Sequence, residues 1–201
     1  MSSRPLSEAE YNTIVDHLAN RPRDLLLLIL GCSSGYRITE LLSLKWQQVW
    51  DAETGTARNE VLVARRNLKG GAGLHCRNVR SRQVPLNERA REAVSNYATA
   101  LPQPPDPESY LFSTARSGDG PMDRATAFRI LVQAAQTCGI DEERISTHTL
   151  RKTFVARVYS ASGHDLIKTQ RIIGHASPMT TARYLETDQS ELDELVRNLA
   201  A

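Results

Sequence analysis

The sequence predicts an α+β fold that is mostly α-helical and contains one small antiparallel β-sheet. Most of the 201 residues lie in segments with helical periodicity that begin at capping residues and end at glycines. Two stretches, residues 60–66 (EVLVARR) and 80–86 (RSRQVPL), are the best strand candidates and flank the glycine-rich loop KGGAG, as in a β-hairpin. The sequence contains no repeats, and its length suits a single domain over residues 1–201.

The first two helices are marked by their N-terminal residues. Ser7 and Glu10 form the S-x-x-E capping box of a helix that extends to about Ala19. Pro22 suits the first turn of a second helix, which continues through the apolar run LLLLIL at residues 25–30. That run is much shorter than the ~20 apolar residues that span a bilayer, so we expect a buried helix.

Gly35 interrupts the second helix, and a third helix is predicted from about Arg37 to near Trp46. Further helices follow the hairpin and are predicted by an N-terminal capping residue, a C-terminal glycine or both. They extend from Asn87 to about Leu101, from Asp123 to Gly139, from near Thr149 to Gly163 and from Asp165 to Gly174, followed by one that holds Tyr184 and one that opens at Asp188 with Glu191.

Charge is distributed unevenly along the chain, although the net charge is only +2. Residues 58–91 contain nine Arg or Lys against two acids, and residues 151–184 contain six against one. The tail from residue 185 is acidic, with five acids and one arginine. Two basic blocks that meet in space would suit a polyanion, whereas composition alone equally allows two solvated basic faces.

The sequence also argues against several classes of protein. Cys32, Cys76 and Cys138 are odd in number and widely spaced, so neither a disulfide framework nor a structural zinc site is indicated. No apolar segment is long enough to span a membrane, and the N-terminus lacks the apolar segment of a signal peptide. We therefore expect no membrane association and a cytoplasmic location, in the bacterial cytoplasm or nucleoid.

One predicted helix begins with two candidate functional side chains on the same face. His148 and Arg151, in the stretch THTLRKTFVARVY, lie at positions i and i+3 and are one turn apart. They could aim at a common target. Alone, the pair is equally compatible with solvated side chains or with pairing to acidic neighbours. Its interpretation therefore depends on the other motifs in the chain.

Four motifs together resemble the catalytic domain of the tyrosine recombinase, or phage integrase, family. They occur in the family's order and intervals: G-x-R-x-x-E with Arg37 and Glu40, H-x-x-R with His148 and Arg151, I-G-H with His175, and Tyr184 nine residues after that histidine. Each motif recurs by chance, but the ordered set does not. The resemblance covers nearly the whole chain and implies the family's catalytic domain. The N-terminal DNA-clamping, or core-binding, domain that usually precedes it is not in this sequence, so we expect either a naturally minimal recombinase or an excised catalytic domain.

The sequence departs from the family pattern at three places. Ile173 replaces the usual leucine, Lys152 stands where many members carry a second histidine, and the hairpin loop of residues 69–80 is long. None of these affects the five anchor residues. The family also has a lysine in its β-hairpin, and Lys69, the only lysine in that region, takes this role by position.

The resemblance implies a transesterification of DNA. The Tyr184 hydroxyl would attack a phosphodiester, giving a 3′-phosphotyrosyl enzyme and a free 5′-hydroxyl that a later attack can reverse. Because tyrosine titrates near ~10 in water, it needs a base at neutral pH, and His148 would accept its proton. Lys69 would protonate the departing 5′-oxygen, which is a poor leaving group without a proton.

The resemblance also assigns residues that stabilise charge. Arg37 and Arg151 would clamp the non-bridging oxygens of the transition state, and His175 would donate a further hydrogen bond to them. Glu40 would orient Arg37 or its helix. The phosphotyrosyl ester keeps the energy of the phosphodiester, so we expect no ATP, no other cofactor and no metal.

The expected partner is double-stranded DNA, on which we expect self-association into dimers or tetramers. Two alternatives remain open: a type IB topoisomerase-like enzyme that relaxes supercoils without exchanging partners, and a catalytically silent DNA-binding or regulatory module of the same fold. In the last predicted helix, Leu192, Leu195 and Leu199 form an apolar face that would pack on its own core or on a neighbouring protomer.

Overall fold

The computed structural model describes residues 3–63, 82–175, 177–185 and 197. Within these residues the α-helices are α1 (Glu8–Leu18), α2 (Pro22–Ser34), α3 (Ile38–Leu42), α4 (Glu88–Ala100), α5 (Arg124–Thr137), α6 (Thr147–Ala161), α7 (Leu166–Ile173) and α8 (Pro178–Ala182). The strands are β1 (Trp50–Asp51), β2 (Thr56–Ala57), β3 (Glu60–Val63) and β4 (Arg82–Pro85). The predicted fold class, mostly helical with a small antiparallel sheet, is confirmed. The chain divides into two compact units, Met1–Phe154 and Val155–Ala201, and the division falls within α6.

The leucine run of α2 lies at the centre of the first unit. Helices α4 and α1 both pack against α2. Because α2 is covered by more than one neighbour, the run has apolar side chains on several faces of the helix. Four of its leucines have no exposed surface: Leu26, Leu27, Leu28 and Leu30. The expectation of a buried helix is therefore confirmed. In the described parts of the chain, no helix combines the length and apolar character that crossing a membrane requires.

The predicted capping box at the start of α1 is confirmed. The Ser7 side chain accepts a hydrogen bond from the backbone N–H of Glu10 (3.2 Å), and the Glu10 carboxylate accepts one from the backbone N–H of Ser7 (2.9 Å). Arg4 adds two hydrogen bonds to that carboxylate, at 2.7 and 2.6 Å. These bonds from Arg4 are the main reason why the pKa of Glu10 falls to about 2.

The predicted hairpin is present, with β3 and β4 paired antiparallel and Val61 opposite Val84. Val61 and Val63 are fully buried, whereas Leu62 between them is exposed, as expected for a strand with one face on the core. The hydroxyl of Tyr36 donates a hydrogen bond to the Val61 carbonyl (3.1 Å), which ties the hairpin to the segment after α2. The loop between the strands, residues 64–81, lies outside the described residues.

A second antiparallel pair, β1 with β2, was not predicted, since each strand is only two residues long. The prediction that the third helix reaches Trp46 was wrong, because α3 ends at Leu42. After α3 the backbone pairs with another segment: the N–H of Leu111 donates to the Leu44 carbonyl (2.8 Å), and that of Trp46 donates to the Ser109 carbonyl (3.1 Å). This long-range pairing replaces the helical hydrogen bonds.

In the second unit, Asp165 caps α7 and Gly174 ends it in the left-handed conformation (φ 74°), both as predicted. Ser177 caps α8, which is only five residues long. Tyr184 lies two residues beyond α8, so the prediction of a helix that holds it was wrong. Its N–H bonds the carbonyl of Thr181, three residues back (2.9 Å), in a tight turn that follows the helix. The predicted helix at Asp188 lies outside the described residues.

Candidate active site

Arg37 is held at the start of α3 by one buried carboxylate. Glu40 is 1% exposed, and its carboxylate accepts hydrogen bonds from the backbone N–H of Arg37 (2.7 Å) and from its guanidinium (2.9 Å). The Arg37 side chain remains 38% exposed. Glu40 therefore fixes both the backbone and the charged group of Arg37, the orienting role expected for it, while one side of the guanidinium stays open to a ligand.

Arg151 lies on α6 and is buried, with 3% of its surface exposed. Its guanidinium donates a hydrogen bond to the backbone carbonyl of Gly35. Gly35 ends α2 with φ +61°, and a Cβ at this position would lie 2.2 Å from a ring carbon of Phe154. Only glycine adopts this positive φ without strain and also has no Cβ to clash with the Phe154 ring. The G-Y-R segment therefore has two roles. Its first residue, Gly35, holds Arg151, and its third residue is Arg37.

The pKa of His148, at the start of α6, is lowered from the ordinary histidine value. Loss of contact with water is the largest cause, although part of the residue remains exposed, and the positive charges of Arg124, Arg151, Arg37 and Lys152 add repulsion. All of these effects oppose the imidazolium form. His148 is therefore neutral at physiological pH and can accept a proton.

A surface groove opens beside His148. It is lined by residues from the start of α5 and from the start of α6: Arg124, Ala125, Phe128, Ser146, Thr147 and His148. Phe128 is 43% exposed there. Sequence reasoning missed Arg124, because an arginine that opens a capped helix has no motif of its own. The long-range bond between Gly35 and Arg151 carried no sequence signal either.

In the second unit, Gly174 reverses the chain after α7 and leads into His175, which is buried. His175 Nδ1 lies 2.9 Å from the hydroxyl of Thr181, a fully buried residue of α8. If Nδ1 accepts from that hydroxyl, Nε2 carries the proton and can donate it in a hydrogen bond to a ligand. The rings of His175 and Tyr184 are 5.2 Å apart between centroids.

The predicted site residues are therefore found in two groups. Arg37, His148 and Arg151 lie within the first unit, and His175 and Tyr184 lie within the second. Lys69 lies outside the described residues. Lys152, which stands at the position of the family's second histidine, is buried and donates a hydrogen bond to the Ser3 carbonyl.

Comparison with known proteins gives a consistent result. Residues 4–191 match the phage integrase family. The chain is 30% identical over 183 residues to a probable integrase/recombinase, YoeC, of Bacillus subtilis, covering 88% of this chain and 84% of that protein. It is 31% identical over 193 residues to the tyrosine recombinase XerD of Rhizobium meliloti, covering 96% of this chain and 56% of that one.

Solved structures also have this fold. The crystal structure of XerA recombinase gives a TM-score of 0.71 at 25% identity, and the match covers 100% of this chain and 65% of that chain. The Tn1549 transposon integrase in complex with a circular intermediate DNA gives a TM-score of 0.65 at 20% identity, covering 98% and 66%. The chain thus spans little more than half of XerD and about two thirds of these two structures.

Proposed function

Because this chain belongs to the phage integrase family, we propose that it is a site-specific DNA recombinase, a metal- and ATP-independent DNA strand-transferase. It cleaves and rejoins DNA strands through a covalent 3′-phosphotyrosyl intermediate. The observation that carries the proposal is the environment of His148, a base kept neutral beside Arg37 and Arg151. Such a cluster suits a reaction in which a proton is removed while negative charge develops on a phosphate.

In the proposed first step, the Tyr184 oxygen attacks the scissile phosphorus. A bond forms between that oxygen and phosphorus, and the bond from phosphorus to the 5′-oxygen breaks. The tyrosine proton passes to His148, and the leaving oxygen takes a proton from Lys69. In the second step, the 5′-hydroxyl of another strand attacks the phosphorus and gives its proton to the neutral Lys69. The bond from phosphorus to the Tyr184 oxygen breaks, and His148 returns its proton to that oxygen.

The two arginines bind the non-bridging oxygens of the phosphate in this proposal. Their partners support the assignment, because Glu40 holds Arg37 and the Gly35 carbonyl holds Arg151, so neither guanidinium needs to be ordered when the phosphate arrives. His175 contributes a further hydrogen bond to the same oxygens. The bond of its Nδ1 with Thr181 fixes the orientation of the ring for this role.

The role of Lys69 as the general acid rests on the resemblance and on chemistry. An ammonium is a suitable donor to an alkoxide that leaves in the transition state. Lys69 is the only lysine in the hairpin region of residues 60–86.

Double-stranded DNA is the proposed partner, and the proposed location is the bacterial cytoplasm or nucleoid, where DNA is available. Self-association on DNA follows from the reaction. Exchange between two duplexes cuts four strands, and this chain supplies one nucleophile, Tyr184, so four copies complete the exchange. The relatives reported above are recombinases and integrases, which favours recombination over a pure relaxase or a silent DNA-binding module.

Two linked assays test this function. A duplex with a nick just beyond the cleavage point traps the covalent adduct, because the short strand diffuses away and the reverse reaction is lost. Joining of the trapped strand to a second labelled duplex then shows strand exchange. A protein that binds the duplex without forming an adduct is a binding module, and one that relaxes supercoiled plasmid without joining two duplexes is a relaxase. Either result would contradict the proposal.

A further inference from the structure

The N-terminal segment Ser3–Leu6, which we call the N-terminal strap, is attached to the start of α6. The backbone N–H of Leu6 donates a buried hydrogen bond to the hydroxyl of Thr153 (2.9 Å). That hydroxyl in turn donates to the carbonyl of Thr149, one turn earlier in α6 (2.9 Å). Leu6 itself is buried in the hydrophobic core. One end of the strap is therefore fixed to α6 by a polar contact that water does not reach.

A second attachment is made by Lys152. This side chain is only 6% exposed, and its ammonium donates a hydrogen bond to the backbone carbonyl of Ser3. The N–H of Arg4 also bonds the carbonyl of Arg144, in the loop before α6 (3.0 Å). A buried ammonium without hydrogen bonds is strongly unfavourable, so the bond to the Ser3 carbonyl stabilises Lys152 in its buried position.

These attachments lie next to the candidate catalytic residues. Lys152 directly follows Arg151, and both Lys152 and Thr153 lie within five residues of His148 on the same helix. A displacement of this part of α6 would move all of these side chains together. A misplacement of about 1 Å in a catalytic constellation lowers rates by about 100-fold.

We propose that Lys152 is a positioning residue, which uses the Ser3 carbonyl as an anchor and holds the first turns of α6, with His148 and Arg151, in place for DNA cleavage. This inference rests on the proposed function for its catalytic consequence. It goes beyond that function because it assigns a role to the N-terminal strap and to a residue that departs from the family pattern.

Lys152 has a second effect through its charge. Together with Arg124, Arg151 and Arg37, it repels the protonated form of His148. Removing the ammonium of Lys152 should therefore raise the pKa of His148, whereas loosening the strap with the charge in place should not.

Three variants separate these effects. Lys152→Met removes the anchor and the charge, Lys152→Arg keeps the charge, and Thr153→Val loosens the strap without changing any charge. Lys45→Met is the matched control, because it removes an ammonium that pairs with Glu108 on the exposed surface. The measurements are the cleavage rate at saturating nicked DNA, the pKa of His148 by NMR titration of the free protein, and hydrogen exchange of the α6 amides.

We expect Lys152→Met to slow cleavage by about tenfold or more, raise the pKa of His148 and speed exchange in the first turns of α6. Thr153→Val should slow cleavage and speed exchange with the pKa unchanged. Lys152→Arg should keep the pKa near that of the parent and recover part of the rate. Lys45→Met should behave like the parent.

Parental rates and exchange in both Lys152→Met and Thr153→Val would overturn the proposal. If Lys152→Met does not fold, the other two variants decide, and a parental Thr153→Val alone overturns the role of the strap. If the parent protein itself forms no adduct, the proposed function fails. Hydrogen exchange and the His148 titration then still decide whether Lys152 anchors α6.

Discussion

At the residue scale, three side chains of the candidate site are each held by a polar partner. A buried carboxylate holds Arg37, a backbone carbonyl holds Arg151, and a buried hydroxyl contacts His175. Because these partners are in place before any DNA arrives, little reorganisation is needed when charge develops on the phosphate. The motifs alone predict the five anchor residues, from their order and spacing. Their partners could not be predicted, since Gly35 and Arg151 are 116 residues apart.

The first prediction concerns the pH dependence of cleavage. Protonated His148 cannot accept a proton, so the rate falls as the pH drops through its pKa. That pKa is lowered, and the acid limb of the profile should therefore have its midpoint below the ordinary value of about 6.5. The rate is measured at DNA concentrations well below saturation, so that the pH profile reports the pKa of His148 in the free protein.

Arg124→Ala tests the cause of this shift. It removes a positive charge that repels the imidazolium, so the midpoint should move upward. Arg129→Ala is the control on the same helix, because Arg129 is exposed, donates a hydrogen bond to the hydroxyl of Thr126 (2.8 Å) and is not among the charges that lower the pKa of His148. A midpoint at or above about 6.5 in the parent, or an equal shift in both variants, would contradict the assignment.

The second prediction concerns Lys69. Lys69→Ala should cleave ordinary DNA slowly, because the 5′-oxygen must leave without a proton donor. A substrate with sulfur at that bridging position leaves as a thiolate, which needs little protonation, so the variant should cleave it at nearly the parent's rate. Arg37→Ala is the control and should show no such rescue, since its charge acts on the non-bridging oxygens. Equal defects of Lys69→Ala on both substrates would place the general acid elsewhere.

At the element scale, local sequence signals predicted most helix boundaries. The capping residues Ser7, Asn87, Asp123 and Asp165 all start helices as expected, because each satisfies the free N–H groups of its own first turn. One error occurred where a distant segment decides. Helix α3 ends early since its continuation pairs with residues 109–111, which no local pattern could indicate.

The third prediction concerns Gly35, which ends α2 and whose carbonyl accepts a hydrogen bond from Arg151. Gly35→Ala should lower the free energy of unfolding by about 2–4 kcal/mol, from a strained positive φ and from the clash with the Phe154 ring. Gly139→Ala is the control, because Gly139 has a similar φ of +69° but no atom near the position of an added Cβ. It should lose only about 1 kcal/mol. Urea unfolding measures both.

Gly35→Ala should also slow DNA cleavage by more than its folded fraction accounts for, since the carbonyl that holds Arg151 is displaced with the backbone. Equal losses of stability in the two alanine variants would show that the contact with Phe154 is not restrictive. A parental cleavage rate in folded Gly35→Ala would show that this carbonyl does not position Arg151.

At the scale of the whole molecule, the distribution of charge matters more than the net value of +2. The fourth prediction is that DNA binding depends strongly on salt, because the basic blocks at residues 58–91 and 151–184 would neutralise phosphates and release counterions. The slope of log affinity against log salt should be about −0.9 per phosphate contact. Fluorescence anisotropy with a labelled duplex measures it. Affinity that does not change between low and physiological salt would contradict a duplex DNA partner.

The central claim is that Tyr184 becomes covalently joined to the 3′ side of a cleaved DNA strand. The most direct test incubates the protein with a nicked, strand-labelled duplex that carries its recombination site, and then maps the trapped adduct by mass spectrometry of its peptides. We predict an adduct on Tyr184 that retains the 3′-phosphate side of the break, and none in Tyr184→Phe, which should still bind the duplex. An adduct formed by Tyr184→Phe, or one joined to the 5′ side, would contradict the account.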